Sequence, residues 1–401
     1  MLLLAGVNRS FKTVLAVALA ASACVSETPP SSVSAQTAAA GAPAERAATE
    51  PTEPTEPSEP TEPARVRVSG TRFVNADGSI FHWRGATAFR LIEQIARGRE
   101  ADAVAYLDWA KSSGITVVRV LTMARHLFEL TPADGVAALP RLLTLAASRG
   151  VHVEVVALAD TAEYDLDTAG IDAHVAAVGK IAAAHPNAFL EIANEPFHHT
   201  QHTSLHDRAT LARLASLIPD EVVVAYGSDI KPETSGGGDY VTVHMPRGGA
   251  PWKHVVALAA GAALVSSYQR PVVSDEPIGV AAEAARGRRD NSPERMRAAA
   301  LLTRMTGMHA TFHHEAGLQG RIPEGIEGEC FDAWREAWTL LPERIERGSF
   351  QVLALTQGAA FETRIGAEAW VLTIDGGEPP PGASLVRRWS ESALFRLPAS
   401  R

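Results

Sequence analysis

The sequence predicts an α/β protein built as a (β/α)8 TIM barrel, and three observations lead there. Between about residues 82 and 346, short apolar β-rich runs alternate with stretches of helical period. Two of those runs, expected as the fourth and seventh strands, end alike. Asn194-Glu195-Pro196 and Asp275-Glu276-Pro277 each place a carboxylate at the tip of an apolar strand and stop it with proline. The alternative, an open doubly wound sheet, wants a Gly-rich phosphate loop after its first strand, and Arg84-Gly-Ala-Thr-Ala-Phe89 is not one.

Residues 1–24 read as an export signal. Arg9 and Lys12 supply positive charge, and Val14 to Ala21 is apolar but too short to span a bilayer. Ala21-Ser-Ala-Cys24 resembles the bacterial lipobox, with Ala21 where Leu is usual. That resemblance implies lipidation at Cys24, so the chain is expected in the cell envelope, touching the membrane only through that lipid. Ordinary cleavage and secretion is the alternative. Residues 25–64 are a linker of Ala, Ser, Thr and Pro that ends in Glu-Pro repeats. Such sequence self-repels and has nothing to bury, so it stays extended. The second cysteine, Cys330, falls on a predicted amphipathic helix and reads as a buried thiol. Two cysteines make no disulfide framework.

Residues 65–346 are expected to form the barrel. Val66–Gly70 and Arg72–Phe81 alternate as strands, with Asp77-Gly78 as a hairpin turn. The eight barrel strands are expected near 82–88, 115–121, 151–158, 188–194, 221–226, 240–244, 271–275 and 309–313. Helices are expected over 100–112, 136–149, 170–185, 293–306 and 330–346, with Gly114 and Gly150 ending the first two. The fifth crossover, Gly227 to Asp239, is Gly-rich and is expected to lack a proper helix. Residues 347–401 turn to strand pattern at Phe350–Leu355, Ala369–Ile374 and Ala393–Leu397. They are expected as a β-rich extension packed on the barrel.

In a barrel, residues at the C-terminal strand ends build the active site. Glu195 and Glu276 share that rim, and paired carboxylates there are what glycoside hydrolysis requires. Each Glu alone reads equally as a cap or as the partner of an arginine. The chain resembles the clan A retaining glycoside hydrolases, most closely the family 5, cellulase-like group. The resemblance rests on Gly70-x-x-Phe73-x-x-x-Asp77-Gly78, Val117-Val-Arg-Val120, Asn194-Glu-Pro196, the sixth-strand His244 and the seventh-strand Glu276. It implies that Glu195 is the general acid/base and Glu276 the nucleophile. It also implies that Asn194 holds the substrate 2-hydroxyl, that Arg119 keeps Glu276 ionised, and that His244 lies near the acid/base or the substrate. Glu195 is then expected to have a raised pKa, from burial and the Glu276 charge.

Three departures from the family pattern stand out. Pro246 occupies the place of a Tyr that supports the nucleophile. The third strand, Val156-Ala-Leu-Ala-Asp160, offers no His. The eighth strand ends in Thr311-Phe-His-His-Glu315 rather than in a Trp, so His313 or His314 is expected to replace it as a sugar contact. These departures leave open a non-catalytic glycan-binding lipoprotein.

The remaining candidates are weaker. Glu191 lies roughly 13 Å below Glu195 along its strand and is expected in a core ion pair. Asp275 is expected to point to the opposite face from Glu276 and to make a structural hydrogen bond, and Asp160 and Asp229 to contact hydroxyls or cap strand ends. His198, His202 and His206 would share one helical face, a spacing from which a metallohydrolase can be drawn, but no His-Glu-x-x-His pattern accompanies them. No metal or cofactor is expected. The net charge of −9, with no basic cluster, excludes nucleic acid as a partner. The expected partner is a carbohydrate, and the expected state a monomer.

Overall fold

The computed structural model describes residues 63–228, 236–247, 251–281, 289–342, 349–355 and 358–398. The export signal, Cys24, nearly all of the linker and Asp229 lie outside them. A hairpin of β1 (Arg67–Ser69) and β2 (Arg72–Val74) opens the described chain. The Asp77-Gly78 turn follows it and brings Ile80 back against Val74.

Eight parallel strands then form one sheet: β3 (Arg84–Thr87), β4 (Val117–Leu121), β5 (His152–Leu158), β6 (Ala188–Asn194), β7 (Val223–Ser228), β8 (Val241–Val243), β9 (Val272–Ser274) and β10 (His309–Phe312). Their order, β7-β6-β5-β4-β3-β10-β9-β8, closes the first strand of the set on the last. The remaining seam, between β7 and β8, is spanned by the backbone N–H groups of Asp239 and Tyr240, which donate to the Val224 carbonyl at 2.7 and 3.4 Å. The architecture is therefore the expected (β/α)8 barrel.

Helices run between the strands at Glu100–Ser112, Pro132–Ala147, Thr168–Ala184, Arg208–Ala215, Gly261–Tyr268, Pro293–Met305 and Gly325–Leu340. Three begin earlier than periodicity suggests, Thr168–Ala184 by only two residues. Thr131 caps the first turn of Pro132–Ala147 by accepting from the Asp134 N–H, and Pro132 needs no partner at that place. The last helix starts at Gly325, before its apolar stripe of Phe331, Trp334 and Trp338.

The hairpin plugs the lower mouth of the barrel. Phe73, fully buried, stacks on Trp83 at 5.0 Å and meets Phe189 and Tyr240 edge-on at 5.6 and 5.5 Å. These rings and the strand-start residues Val117, Val223 and Val273 form a separate apolar cluster at that end. The opposite mouth is left for polar side chains.

The C-terminal residues form a five-stranded antiparallel sheet, β11 (Gln351–Ala354), β12 (Ala359–Ile365), β13 (Glu368–Ile374), β14 (Ser384–Arg388) and β15 (Ser392–Leu397), in the order β11-β12-β13-β15-β14. Sequence reading anticipates β11, β13 and β15. It misses β12, where Glu362 and Thr363 break the apolar run yet are buried, and β14, which is exposed throughout and shows no alternation. Phe361, Leu372 and Leu394 join the barrel's apolar core. Polar contacts seal the junction: Ser392 Oγ donates to Glu294 at 2.7 Å, and Trp252 Nε1 donates to Glu391 at 3.1 Å.

Barrel closure makes one testable demand. Gly85 of β3 lies against Thr311 of β10, and a methyl group there would sit 2.3 Å from Thr311 Oγ1 and 2.9 Å from its Cα. Gly85→Ala is expected to destabilise the fold by about 1–3 kcal/mol through overpacking, read by urea unfolding. An unchanged midpoint would show that this seam yields freely.

Candidate active site

The site is built upward from Arg119, in the middle of β4. Its side chain points into the barrel and is fully buried, with Phe89 beneath the guanidinium at 5.3 Å. Nε donates to Glu191 at 3.0 Å, Nη1 to Glu276 at 2.7 Å, and Nη2 to the Asn194 side-chain oxygen at 3.0 Å. Asp275 Oδ2 lies 3.1 Å from Nη2 and Glu154 Oε2 lies 3.7 Å from Nε. One buried cation therefore binds the ends of β6 and β9 together. Glu191 is in the core ion pair expected of it. Asp275 corrects the sequence reading. β9 ends at Ser274, so strand alternation no longer applies, and Asp275 faces Arg119 as Glu276 does.

Glu276 is held from two sides. Arg119 takes Oε1, and Arg247 donates from Nη2 to Oε2 at 2.8 Å and from Nε to the Glu276 carbonyl at 3.1 Å. Sequence reasoning missed Arg247. The only signal was its place directly after Pro246, where the family pattern breaks.

Glu195 follows the last residue of β6 and adopts a left-handed backbone, φ 45°. A non-glycine residue in that region is uncommon and persists only where the surroundings impose it. Gln201, buried and also missed from sequence, imposes much of it. Its Nε2 donates to the carbonyls of Asn194 at 2.5 Å and Leu158 at 3.2 Å, and its Oε1 accepts from Thr161 Oγ1 at 2.9 Å. His244 Nδ1 lies 3.0 Å from Glu195 Oε1, and Nε2 lies 3.8 Å from Glu276 Oε1. One atom from each of Glu195, His244 and Glu276 falls within 4.8 Å of the other two.

Asn194, Glu195, Arg247 and Glu276 line a cavity of about 230 Å³ together with His313 and Arg289. His313 is inward, its Nδ1 2.9 Å from Thr87 Oγ1. His314 corrects the sequence reading, because alternation past β10 turns it outward with Phe312. It stacks on Phe312 at 5.1 Å, and its Nδ1 accepts from the Gly317 N–H at 3.0 Å, capping a short helix away from the cavity. Asp160 accepts from the backbone N–H groups of Arg125 and His126 at 2.9 and 3.0 Å, tying the loop after β4 to the end of β5. His198, His202 and His206 share no helical face. The segment is turns and one 3-10 turn, with His202 capping Ser204 and His206 stacked on Phe197. Cys330 is buried, and burial pushes its thiol up to about 12.

Charge is unevenly held. Burial pushes Glu154 well above the carboxylate range, with Glu191 adding to it, and pushes Glu191 up to about 7 against the pull of Arg119. Burial raises Glu276 too, but the charges of His244, Arg247 and Arg119 outweigh it and hold it well below the usual range. For His244 burial opposes the charged form, yet Glu276 and Asp275 outweigh it and push the imidazole up to about 10. Glu195 reverses expectation. Burial raises it, but the hydrogen bond and charge of His244 win, and it lies below the usual range. The proton expected on Glu195 resides on its hydrogen-bonded partner.

No family model matches the sequence, and no curated protein matches it. Among solved structures the chain is similar to a family 5 glycoside hydrolase from Bacteroides vulgatus. They are 14% identical, over 79% of this chain and 82% of that chain, with a TM-score of 0.57. It is also similar to a β-glucanase from Saccharophagus degradans solved with cellotetraose. There the identity is 13%, over 71% of this chain and 98% of that chain, with a TM-score of 0.52. Likeness at these identities establishes the barrel fold.

The His244 pairing has a thermodynamic signature. A histidine whose folded pKa is raised stabilises fully below its unfolded value near 6.5 and loses that contribution as pH rises through the folded value, here about 10. Wild type is expected to lose stability relative to His244→Gln between those two values, measured by urea unfolding at several pH values. Parallel profiles for the two proteins would show His244 to be neutral.

Proposed function

We propose that the chain is a retaining glycoside hydrolase of the family 5 type, cleaving O-glycosidic, β-linked bonds in an oligo- or polysaccharide. The observation that carries this reading is the close approach of Glu195 and Glu276 across the C-terminal mouth. Their nearest oxygens lie within 4.8 Å, with His244 between them. Carboxyl groups about 5–5.5 Å apart suit direct attack on the anomeric carbon, whereas inversion needs room for a water and about 6.5–9.5 Å.

In the first step a Glu276 oxygen attacks the anomeric carbon and the glycosidic C–O bond breaks. The leaving oxygen takes a proton from Glu195. Because Glu276 and Asp275 keep His244 protonated, the proton reaches Glu195 as Glu276 becomes an ester. Ester formation removes the carboxylate charge that most favours the imidazolium, and the proton shifts along the 3.0 Å contact to Glu195. In the second step Glu195 takes a proton from water, water attacks the anomeric carbon, and Glu276 departs as a carboxylate. Asn194, with its oxygen fixed by Arg119, turns its amide donors toward the cavity for a sugar hydroxyl.

The same three groups could be drawn as cation ligands. Two guanidinium groups already engage both Glu276 oxygens, so a metal would add positive charge where it is balanced. Activity unaffected by chelator accords with the glycosidase reading, and chelator-sensitive activity opposes it.

Two kinetic outcomes test the roles. Glu276→Ala is expected to abolish turnover of every glycoside. Glu195→Ala is expected to lose about 10²–10⁴-fold on poor leaving groups, the usual weight of general acid–base help. It should still be glycosylated at Glu276 by activated aryl glycosides, and azide should release a β-glycosyl azide. An inverted azide product, near-normal activity in Glu276→Ala, or no wild-type turnover across a broad glycan panel would overturn the reading. In addition, His244→Asn should move the basic limb of kcat/KM to lower pH, since Glu195 then holds the proton alone. An unmoved limb would remove His244 from the proton path.

A further inference from the structure

The cavity contrasts with the neutral-sugar site that the resemblance suggests. None of the seven Trp or five Tyr residues of the chain lines it. Its single carbocyclic aromatic is Phe89, buried beneath Arg119. A sugar there finds no broad aromatic face to lie on, and its recognition must come from polar and charged groups. Two of those groups are guanidinium groups, Arg247 and Arg289, which line the cavity with His313.

Both arginines are built into place. Arg247 spends Nε and Nη2 on Glu276, and its Nη1 has no partner among the described residues. Arg289 crosses Gly279 where a methyl group would meet its Cδ and Nη1 at 3.0 Å and His313 at 2.8 Å, so the missing side chain makes room for the guanidinium beside His313. The next residue, Asp290, is pinned by Arg295 at 2.5 and 2.8 Å, by His254 at 2.7 Å, and by its own N–H on the Gly279 carbonyl at 2.9 Å. Arg289 also reaches half-exposed Glu315, at 3.5 Å, the outer limit of a hydrogen bond. Burial pushes His313 well below its ordinary value against the pull of Glu276, and the charges of Arg247 and Arg289 add to it.

Resting on the glycosidase reading, we propose that the sugar taken by this cavity is anionic, its carboxylate or sulfate bound by Arg289 with the spare Nη1 of Arg247. Planar guanidinium donors suit both groups, and charge-assisted hydrogen bonds outweigh neutral ones.

Calorimetric binding to wild type, Arg289→Gln and Arg289→Lys tests this, with methyl β-D-glucuronide, methyl β-D-glucoside 6-sulfate and methyl β-D-glucoside as probes. Circular dichroism controls for folding. Wild type should bind one of the anionic probes about 10–100-fold tighter than the neutral one, the weight of a hydrogen bond to a charged group. Which probe wins separates carboxylate from sulfate. Arg289→Gln should erase the preference and Arg289→Lys keep part of it, and added salt should weaken the anionic probe alone. Equal affinities, no binding of any probe, or a preference unchanged in Arg289→Gln would overturn the proposal. The two readings fail separately. Anion preference without turnover of any glycoside defeats the glycosidase reading and leaves this one, and turnover of neutral glycosides without anion preference does the reverse.

Discussion

The arrangement of the upper barrel depends on one buried cation. Arg119 is the largest fully buried side chain of the described residues, and it faces Glu154, Glu191, Asp275 and Glu276. A guanidinium cannot shed its proton, so burying it demands carboxylates around it. Burial, with the neighbouring carboxylates adding to it, pushes the deeper Glu154 and Glu191 toward their neutral forms while Glu276 stays ionised. Replacing Arg119 by a neutral side chain would leave Glu191 without its chief compensating charge, while His244 and Arg247 would still hold Glu276 low.

The two ends of the barrel divide the labour. The lower mouth is closed by the Phe73 cluster, which contributes stability and no chemistry. At the upper mouth the polar chains converge, and their backbones are held off the favoured regions. Asp160 and Glu195 both have positive φ; Asp160 accepts from the loop after β4, and the Glu195 carbonyl accepts from the His198 N–H three residues on. This is the usual split of the fold, with function at the C-terminal strand ends and packing at the other.

How much of this was legible follows from where each residue sits. Most of the eight strands were readable because they are apolar runs stopped by a polar or Gly/Pro signal, and the Glu-Pro pairs marked two strand tips directly. His313 and His314 were readable as a pair, but only the register of β10 decides that His313 faces the cavity. The His198 series misled because its four-residue spacing is meaningful only on a helix, and the segment is a string of turns. Arg247, Arg289 and Gln201 lie on loops, where no periodicity says which way a side chain points. Asp275 misled because strand alternation was extended one residue past the last ladder position.

The exchange of a neutral support for Arg247 alters the balance between the two steps proposed for this site. Two guanidinium groups on one carboxylate lower its proton affinity. A carboxylate of low basicity attacks the anomeric carbon less readily, and it also departs more readily from the ester. The first step therefore depends more on the proton that His244 and Glu195 deliver to the leaving oxygen, and the second depends less on help to Glu276. The same charge pair sets the polarity of the cavity above it. Glu195 and Glu276 alone would repel an anionic sugar, but Arg119 and His244 offset them from below, and Arg247 and Arg289 offset them from the rim. In the proposed reading, the positive groups that restrain Glu276 as nucleophile are also those that would let a negatively charged ring sit against it.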